Sequence, residues 1–394
     1  MQSIKTAVKE ASWVFVLSRI ILSCITYSSV VLIPQNGQRR PVNCPDLIHS
    51  PCMLAWYHWD DGAYVRIAHQ GYSFTPDVGF FPLWPLLVHY GGLLLGGSFP
   101  LSYYLAGMIL SNLFFFVALV LLYLLLSEDF EPSLAKRALF YLSFYPYALF
   151  FFVGYTESLF IMLCIAVFLL IRRGKVLDWW FAGLLGFLAA LTRSSGILLT
   201  LPFFVMYLQH FWAPTERPQH NWLQRTNALA PILLFPLGVV VYMIYLGSIK
   251  GDPLVFRTVE ATYWARHFDW IWHTYYIALH TIATYPFFSV FTLRNILDIT
   301  FTILPIAALI VGWKRLPLHY NLFTLAVVLF SLSFPINTPD PLASQSRYMM
   351  AVFPIIVVFA LWGKHPRFEQ IFLAIALPLL AVLSILFISH YWVA

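Results

Sequence analysis

Two carboxylates, Asp60 and Asp61, stand side by side within HWDDGAYVRIAHQGY (58–72), with Arg66, His58 and His69 a few residues away. Chemically, a carboxylate can take a proton from a reacting hydroxyl, and a planar guanidinium suits a phosphate. From Trp56 to Gln70 the only helix breaker is Gly62, and Gly71 offers a C-terminal stop, so one helix is expected over this stretch. On that helix Asp60, Tyr64 and Ile67 share one stripe, while Asp61, Val65 and Ala68 share another. The two acids therefore diverge, and one of them at most sits at a reacting centre. Divergence also argues against a shared divalent cation, so no cofactor is expected, with a metal kept as the less favoured option. The plain alternative is a pair of solvated loop acids or a helix cap. His58 and His69 have no metal-ligand partner at helical spacing and read as polar surface residues.

The elements that must position these groups are membrane spans. The chain has 394 residues, 60% of them hydrophobic and 10% charged, against about 25% charged in a soluble domain. Its net charge of +6 is spread over short loops between apolar runs, which fits the positive-inside rule and not nucleic-acid binding. The apolar run 11–33 is longer than the roughly 7–15 residues of a signal-peptide core, and no cleavage site follows it. It reads as a first transmembrane helix. About eleven spans are expected, near 11–33, 101–126, 138–153, 157–171, 178–191, 197–211, 227–248, 296–312, 320–335, 347–363 and 368–391. The expected class is an all-α polytopic membrane protein, a single integral domain over 1–394.

Alternating the spans from a cytoplasmic N-terminus gives the cytoplasmic loops Lys136-Arg137, Arg172-Arg173-Lys175, Arg217 with Arg225, Lys314-Arg315, and Lys364 with Arg367. The opposite side receives two long loops, 34–100 and 250–295. Two span pairs are unusual. As one helix, 138–171 would be about 50 Å long at about 1.5 Å per residue, too long for a core of about 30 Å. A hairpin follows, with GYTE (154–157) at its tip, and 178–211 repeats the pattern with TRSSG (192–196). Polar groups at such depth must face protein or a wet cavity. Glu157 and Arg193 are therefore candidates, each weighed against simple snorkelling to an interface. Arg193 with Thr192, Ser194 and Ser195 could grip a phosphate. Arg347, in QSRYM (345–349), is either a further contact or an interfacial anchor, and Arg66 either a salt-bridge partner of the acids or a second phosphate contact. Arg19, inside the first span, has no evident partner.

In the remaining sequence, 79–100 is expected to break at Pro82 and Pro85 as a re-entrant or interfacial segment. The aromatic stretch 263–291 is expected as an interfacial amphipathic helix. Cys44 and Cys52 could pair if their loop faces an oxidising compartment, or remain free thiols.

WDDGAYVRIAHQGY (59–72), FFPLWPLL (80–87), NLFFFVALVLLYLL (112–125), GYTESLF (154–160), LTRSSGILL (191–199) and SRYMMAVFP (346–354) together resemble the PIG-V family of mannosyltransferases, in family order and across nearly the whole chain. The resemblance implies a GT-C membrane fold and a polyprenyl-phosphate mannose donor. It also implies inverting transfer to a lipid-linked or membrane-associated acceptor, usually without metal, with the catalytic acid in the first outer loop. The family's Trp-Asp step falls on Trp59-Asp60, so the resemblance makes Asp60 the base. Asp61 stands where members vary and is kept with the substrate-binding set. The TES acid maps to Glu157, the arginine of R-S-x-G to Arg193, and that of the late SRY motif to Arg347. The sequence contains no Asn-x-Ser/Thr sequon, so a bacterial plasma membrane, with the active site on its outer face, is favoured over the endoplasmic reticulum. Rival readings are a transporter or flippase, whose discontinuous helices the short hairpins resemble, and a non-catalytic scaffold subunit that would not need Asp60.

Overall fold

A computed structural model describes residues 3–33, 54–212, 221–337 and 339–393. Within them the regular structure is entirely helical. In chain order the α-helices are α1 (Ile4–Leu32), α2 (Asp60–Gln70), α3 (Leu83–Leu94), α4 (Leu101–Asp129), α5 (Pro132–Ser143), α6 (Glu157–Arg173), α7 (Val176–Thr192) and α8 (Thr200–Phe211). There follow α9 (Trp222–Leu229), α10 (Leu234–Lys250), α11 (Val255–Thr262), α12 (Ile271–Thr284), α13 (Val290–Gly312), α14 (Leu318–Leu332), α15 (Gln345–Tyr348), α16 (Phe353–Trp362) and α17 (Pro366–Ile388). Among the described residues six helical stretches are long and apolar enough to cross a membrane, or seven if the pair Gln345–Ala351 and Phe353–Trp362, bent by 78°, is one broken span. The protein is an all-α integral membrane protein. Each of the eleven expected runs holds helix, but several are shorter than a full span.

The differences from expectation are local. The expected helix over 56–70 starts at Asp60, because Trp59 takes φ +57° and cannot continue a helix. Gly71 does end it, at φ +67°, with its N–H on the Ile67 carbonyl at 2.8 Å. Pro82 and Pro85 bracket the start of α3. Pro85 lies in the first turn, where its missing N–H would have had no intrahelical partner. The aromatic stretch 263–291 holds a helix only at α12 before α13 begins. That helix starts six residues earlier than the expected span, drawing Arg294 and Asn295 into it. Cys44 and Cys52 lie outside the described residues.

By contacts the chain divides into two units, one of Met1–Ser73, Trp84–Leu159 and Phe359–Val393, the other of Phe74–Leu83 and Phe160–Val358. In the first, α1 packs on α4, α5 and α17, and α2 packs on α4. In the second, α10 packs on α7, α14 on α8, and α12 and α14 on α13.

Each of the two expected hairpin segments is broken into two helices, α5 and α6 in the first and α7 and α8 in the second. Between α5 and α6, residues 144–156 are buried except Phe152, which is half-buried. Arg19, which the sequence left without a partner, holds this segment. Its guanidinium donates to the Phe151 carbonyl at 2.8 Å and to Asn112 Oδ1 at 2.7 Å. It also lies about the rings of Phe15, Phe115 and Phe152. Asn112 Nδ2 in turn donates to the Phe152 carbonyl at 3.0 Å. A hydrogen bond to a charged group is worth about 1.5–3 kcal/mol net. Arg19→Leu should therefore cost about 2 kcal/mol, read by unfolding in detergent micelles, and a smaller loss than Asn112→Ala would contradict this account.

Candidate functional site

Asp60 and Asp61 are the first two residues of α2, at its positive end, where carboxylates are favoured. Both are buried, at 8% and 1% exposure, so the solvated-loop alternative does not hold. Neither Oδ of Asp61 has a hydrogen-bond partner among the described residues. Its carboxylate lies over backbone: a Cβ added to Gly154 would meet Asp61 Oδ1 at 2.5 Å, and one on Gly107 at 3.8 Å. Burial first, and Asp60 second, push the Asp61 carboxyl well above the usual carboxylate range. Tyr57, in edge contact with Tyr104 at 5.7 Å, is also pushed up, by burial and by Asp61, against the opposing charge of Arg66. Arg66 itself is half-buried on α2.

The backbone of Asp60 is held from a distance. Its N–H donates to the Tyr155 hydroxyl at 3.2 Å, and that hydroxyl donates to the His58 carbonyl at 3.1 Å. His58 is not a surface residue. Its ring lies half-buried against that of His390, 3.9 Å between centroids, and burial and His390 together push it down to about 4. His69 is exposed, as expected, beside Phe99. Glu157 is buried as the first residue of α6 in the same unit as the acids. Snorkelling to an interface does not describe it.

In the other unit, Arg193 and Arg347 come together around one ring. Their guanidinium carbons lie 5.1 and 5.2 Å from the Tyr348 centroid. A third arginine joins them: Arg266 stands 5.4 Å from the same ring, within 3.5 Å of Glu260 and 3.4 Å of the Tyr348 hydroxyl. Arg347 is 3% exposed and so is no interfacial anchor. Beside it, Ser346 Oγ donates to Asp298 Oδ1 at 2.6 Å, and Gln345 Nε2 donates to the Ser331 carbonyl at 2.9 Å. On the same helix as Asp298, Arg294 meets Asp340 at 3.2 Å. Three guanidinium groups gathered at one ring have the chemistry to bind an anion such as a phosphate. The reading from sequence missed Arg266 and Asp298. No local signal marked Arg266, whereas Asp298 as an acid in an apolar helix was visible.

Backbone strain falls at the same places. Among the described residues four that are not glycine have positive φ: Trp59, Ala265, Ser344 and His390. Trp59 and Ala265 immediately precede Asp60 and Arg266. Ser344 opens the turn that carries Arg347, and His390 packs tilted against His58 and edges Trp59 at 5.6 Å. Such conformations cost about 1–3 kcal/mol each and persist where surrounding structure over-determines them, often at functional sites. Among the described residues no group of three or more His, Cys, Asp or Glu is placed to hold a metal ion.

Residues 9–245 match the sequence pattern of the family described as Mannosyltransferase (PIG-V). The chain belongs to that family. It is also 27% identical over 273 residues to GPI mannosyltransferase 2 of Schizosaccharomyces pombe, covering 65% of this chain and 55% of that protein. The PIG-V chain described here thus spans little more than half the length of that relative. Among solved structures, the crystal structure of the Archaeoglobus fulgidus oligosaccharyltransferase with zinc and sulfate aligns with a TM-score of 0.45 at 14% identity, covering 97% of this chain and 53% of that one. An archaeal oligosaccharyltransferase from the same organism, in complex with an inhibitory peptide and a dolichol-phosphate, aligns with a TM-score of 0.42 at 13% identity, covering 96% and 56%.

Two measurements follow for Asp61. Gly154→Ala should lower the melting temperature in detergent, and Asp61→Ala added to it should recover part of the loss, because the clash partner is gone. Additive losses would contradict the contact. The second concerns pH. The folded carboxyl keeps its proton above the pH near 4 at which an unfolded one releases it. Over that window the folded state binds more protons, so stability falls as pH rises. Asp61→Asn should flatten this fall and be the more stable form at neutral pH; a parallel pH profile would count against it.

Proposed function

We propose that this protein is a membrane glycosyltransferase that moves mannose from a polyprenyl-phosphate donor to a hydroxyl of a lipid-linked or membrane-associated acceptor, with inversion. Membership of the PIG-V family carries this reading, and a buried acid pair and an arginine cluster supply chemistry suited to it. In the reaction, Asp60 takes the acceptor hydroxyl proton as the oxygen forms its bond to the anomeric carbon. The bond from that carbon to the phosphate oxygen breaks, and the electron pair leaves with the phosphate. A phosphate is a good leaving group, so one base suffices and no strong general acid is needed. The departing charge grows in the transition state and calls for cationic donors; Arg193, Arg347 and Arg266, clustered within their own unit, have the chemistry to bind a phosphate. Arg66, Asp61 and Glu157 complete the substrate-binding set, Asp61 as a buried acid favoured in its neutral form. The fold is of the GT-C type, and the setting is a bacterial plasma membrane with the chemistry on its outer face.

The test is transfer of radiolabelled mannose from a polyprenyl-phosphate donor to host lipid extract in detergent. Wild type should label a new lipid. Asp60→Asn should fall by on the order of 100-fold or more, while Arg266→Ala should raise the donor KM. Equal transfer by Asp60→Asn would remove Asp60 as the base, and absence of both donor binding and transfer in wild type would remove the reading itself.

A further inference from the structure

We infer that Tyr155 is a positioning residue for Asp60, its hydroxyl clamping the strained turn from which the carboxylate projects. The inference rests on the reading of Asp60 as the base. Trp59 has φ +57° and ψ −122°, a region that side chains other than hydrogen rarely occupy, and as the residue before α2 it gives no side-chain cap. The first N–H groups of a helix have no partner within it. Here the Tyr155 hydroxyl fills that role from outside, accepting from the Asp60 N–H and donating to the His58 carbonyl. One oxygen atom therefore bridges the residues on either side of Trp59 and fixes the turn between them.

Tyr155 can do this because it is itself immobilised. It is fully buried, with its ring against Tyr64, Phe150 and Phe387. The preceding Gly154 carbonyl accepts from Trp84 Nε1 at 2.9 Å, and Arg19 and Asn112 hold the carbonyls four and three residues before Tyr155. All these residues belong to one unit. A base must be held close to its productive geometry, and small misplacements are costly in rate. Without the hydroxyl the turn is free to relax to negative φ, and Asp60 moves with it.

The experiment compares Tyr155→Phe, which keeps the ring, with wild type and Asp60→Asn. The expected result is a fall in kcat on the order of 10- to 100-fold, a donor KM within about twofold and a melting temperature within about 2 °C. Hydrogen exchange of the peptide spanning 57–63 should quicken. A backbone test separates positioning from general support. Added to Tyr155→Phe, Trp59→Gly accepts positive φ without penalty, whereas Trp59→Ala loses the same ring and keeps the penalty. The glycine double variant should recover several-fold more activity than the alanine one. Unchanged exchange, or glycine and alanine behaving alike, overturns the inference. If wild type transfers nothing, or Asp60→Asn equals wild type, the function reading fails, and the exchange measurement still decides whether the clamp exists.

Discussion

Backbone that is buried and not α-helical has to find its hydrogen bonds from side chains, and the candidate acid site depends on that rule. The segment from 144 to 156 is the case in point. Its carbonyls at Phe151, Phe152 and Gly154 take donors from α1, α4 and the start of α3. Once fixed, the segment presents a glycine for the Asp61 carboxylate to lie against and a hydroxyl for the Asp60 amide. The carboxylate pair stands where it does because a loop deep in an apolar chain had to be satisfied.

The charges follow a similar economy. Burying one ion costs several kcal/mol unless partners compensate it. Asp61 meets that cost by favouring its neutral form. Arg19 meets it with two oxygen acceptors and three aromatic rings. Around Tyr348, Glu260 stands against Arg266. Guanidinium groups gathered on one ring are chemistry suited to a phosphate.

How much of this could be read from the letters depended on range. Helical apolar runs and the stop at Gly71 are patterns within a few residues, and the structure keeps them, though six or seven stretches among the described residues, not eleven, are long enough to cross a membrane. The candidate acids and arginines stood out because charge is rare in such a chain. What sequence concealed was pairing. Asp60 begins its helix, instead of sitting a turn inside it, and its amide meets a hydroxyl 95 residues away. Arg266 shares a contact with Tyr348 that Arg193 and Arg347 also make. His58 looked superficial until the chain near His390 returned to cover it.

The bond from Arg19 to the Phe151 carbonyl, spanning 132 residues, has a consequence in time. Translation at about 5–20 residues per second leaves on the order of ten seconds between the two residues emerging. For that interval α1 carries a cation into an apolar environment before its final acceptors exist. Insertion machinery, or an edge-on resting place at the membrane surface, must shelter the helix meanwhile. The first helix thus arrives early and meets the Phe151 carbonyl only after 132 further residues have been made.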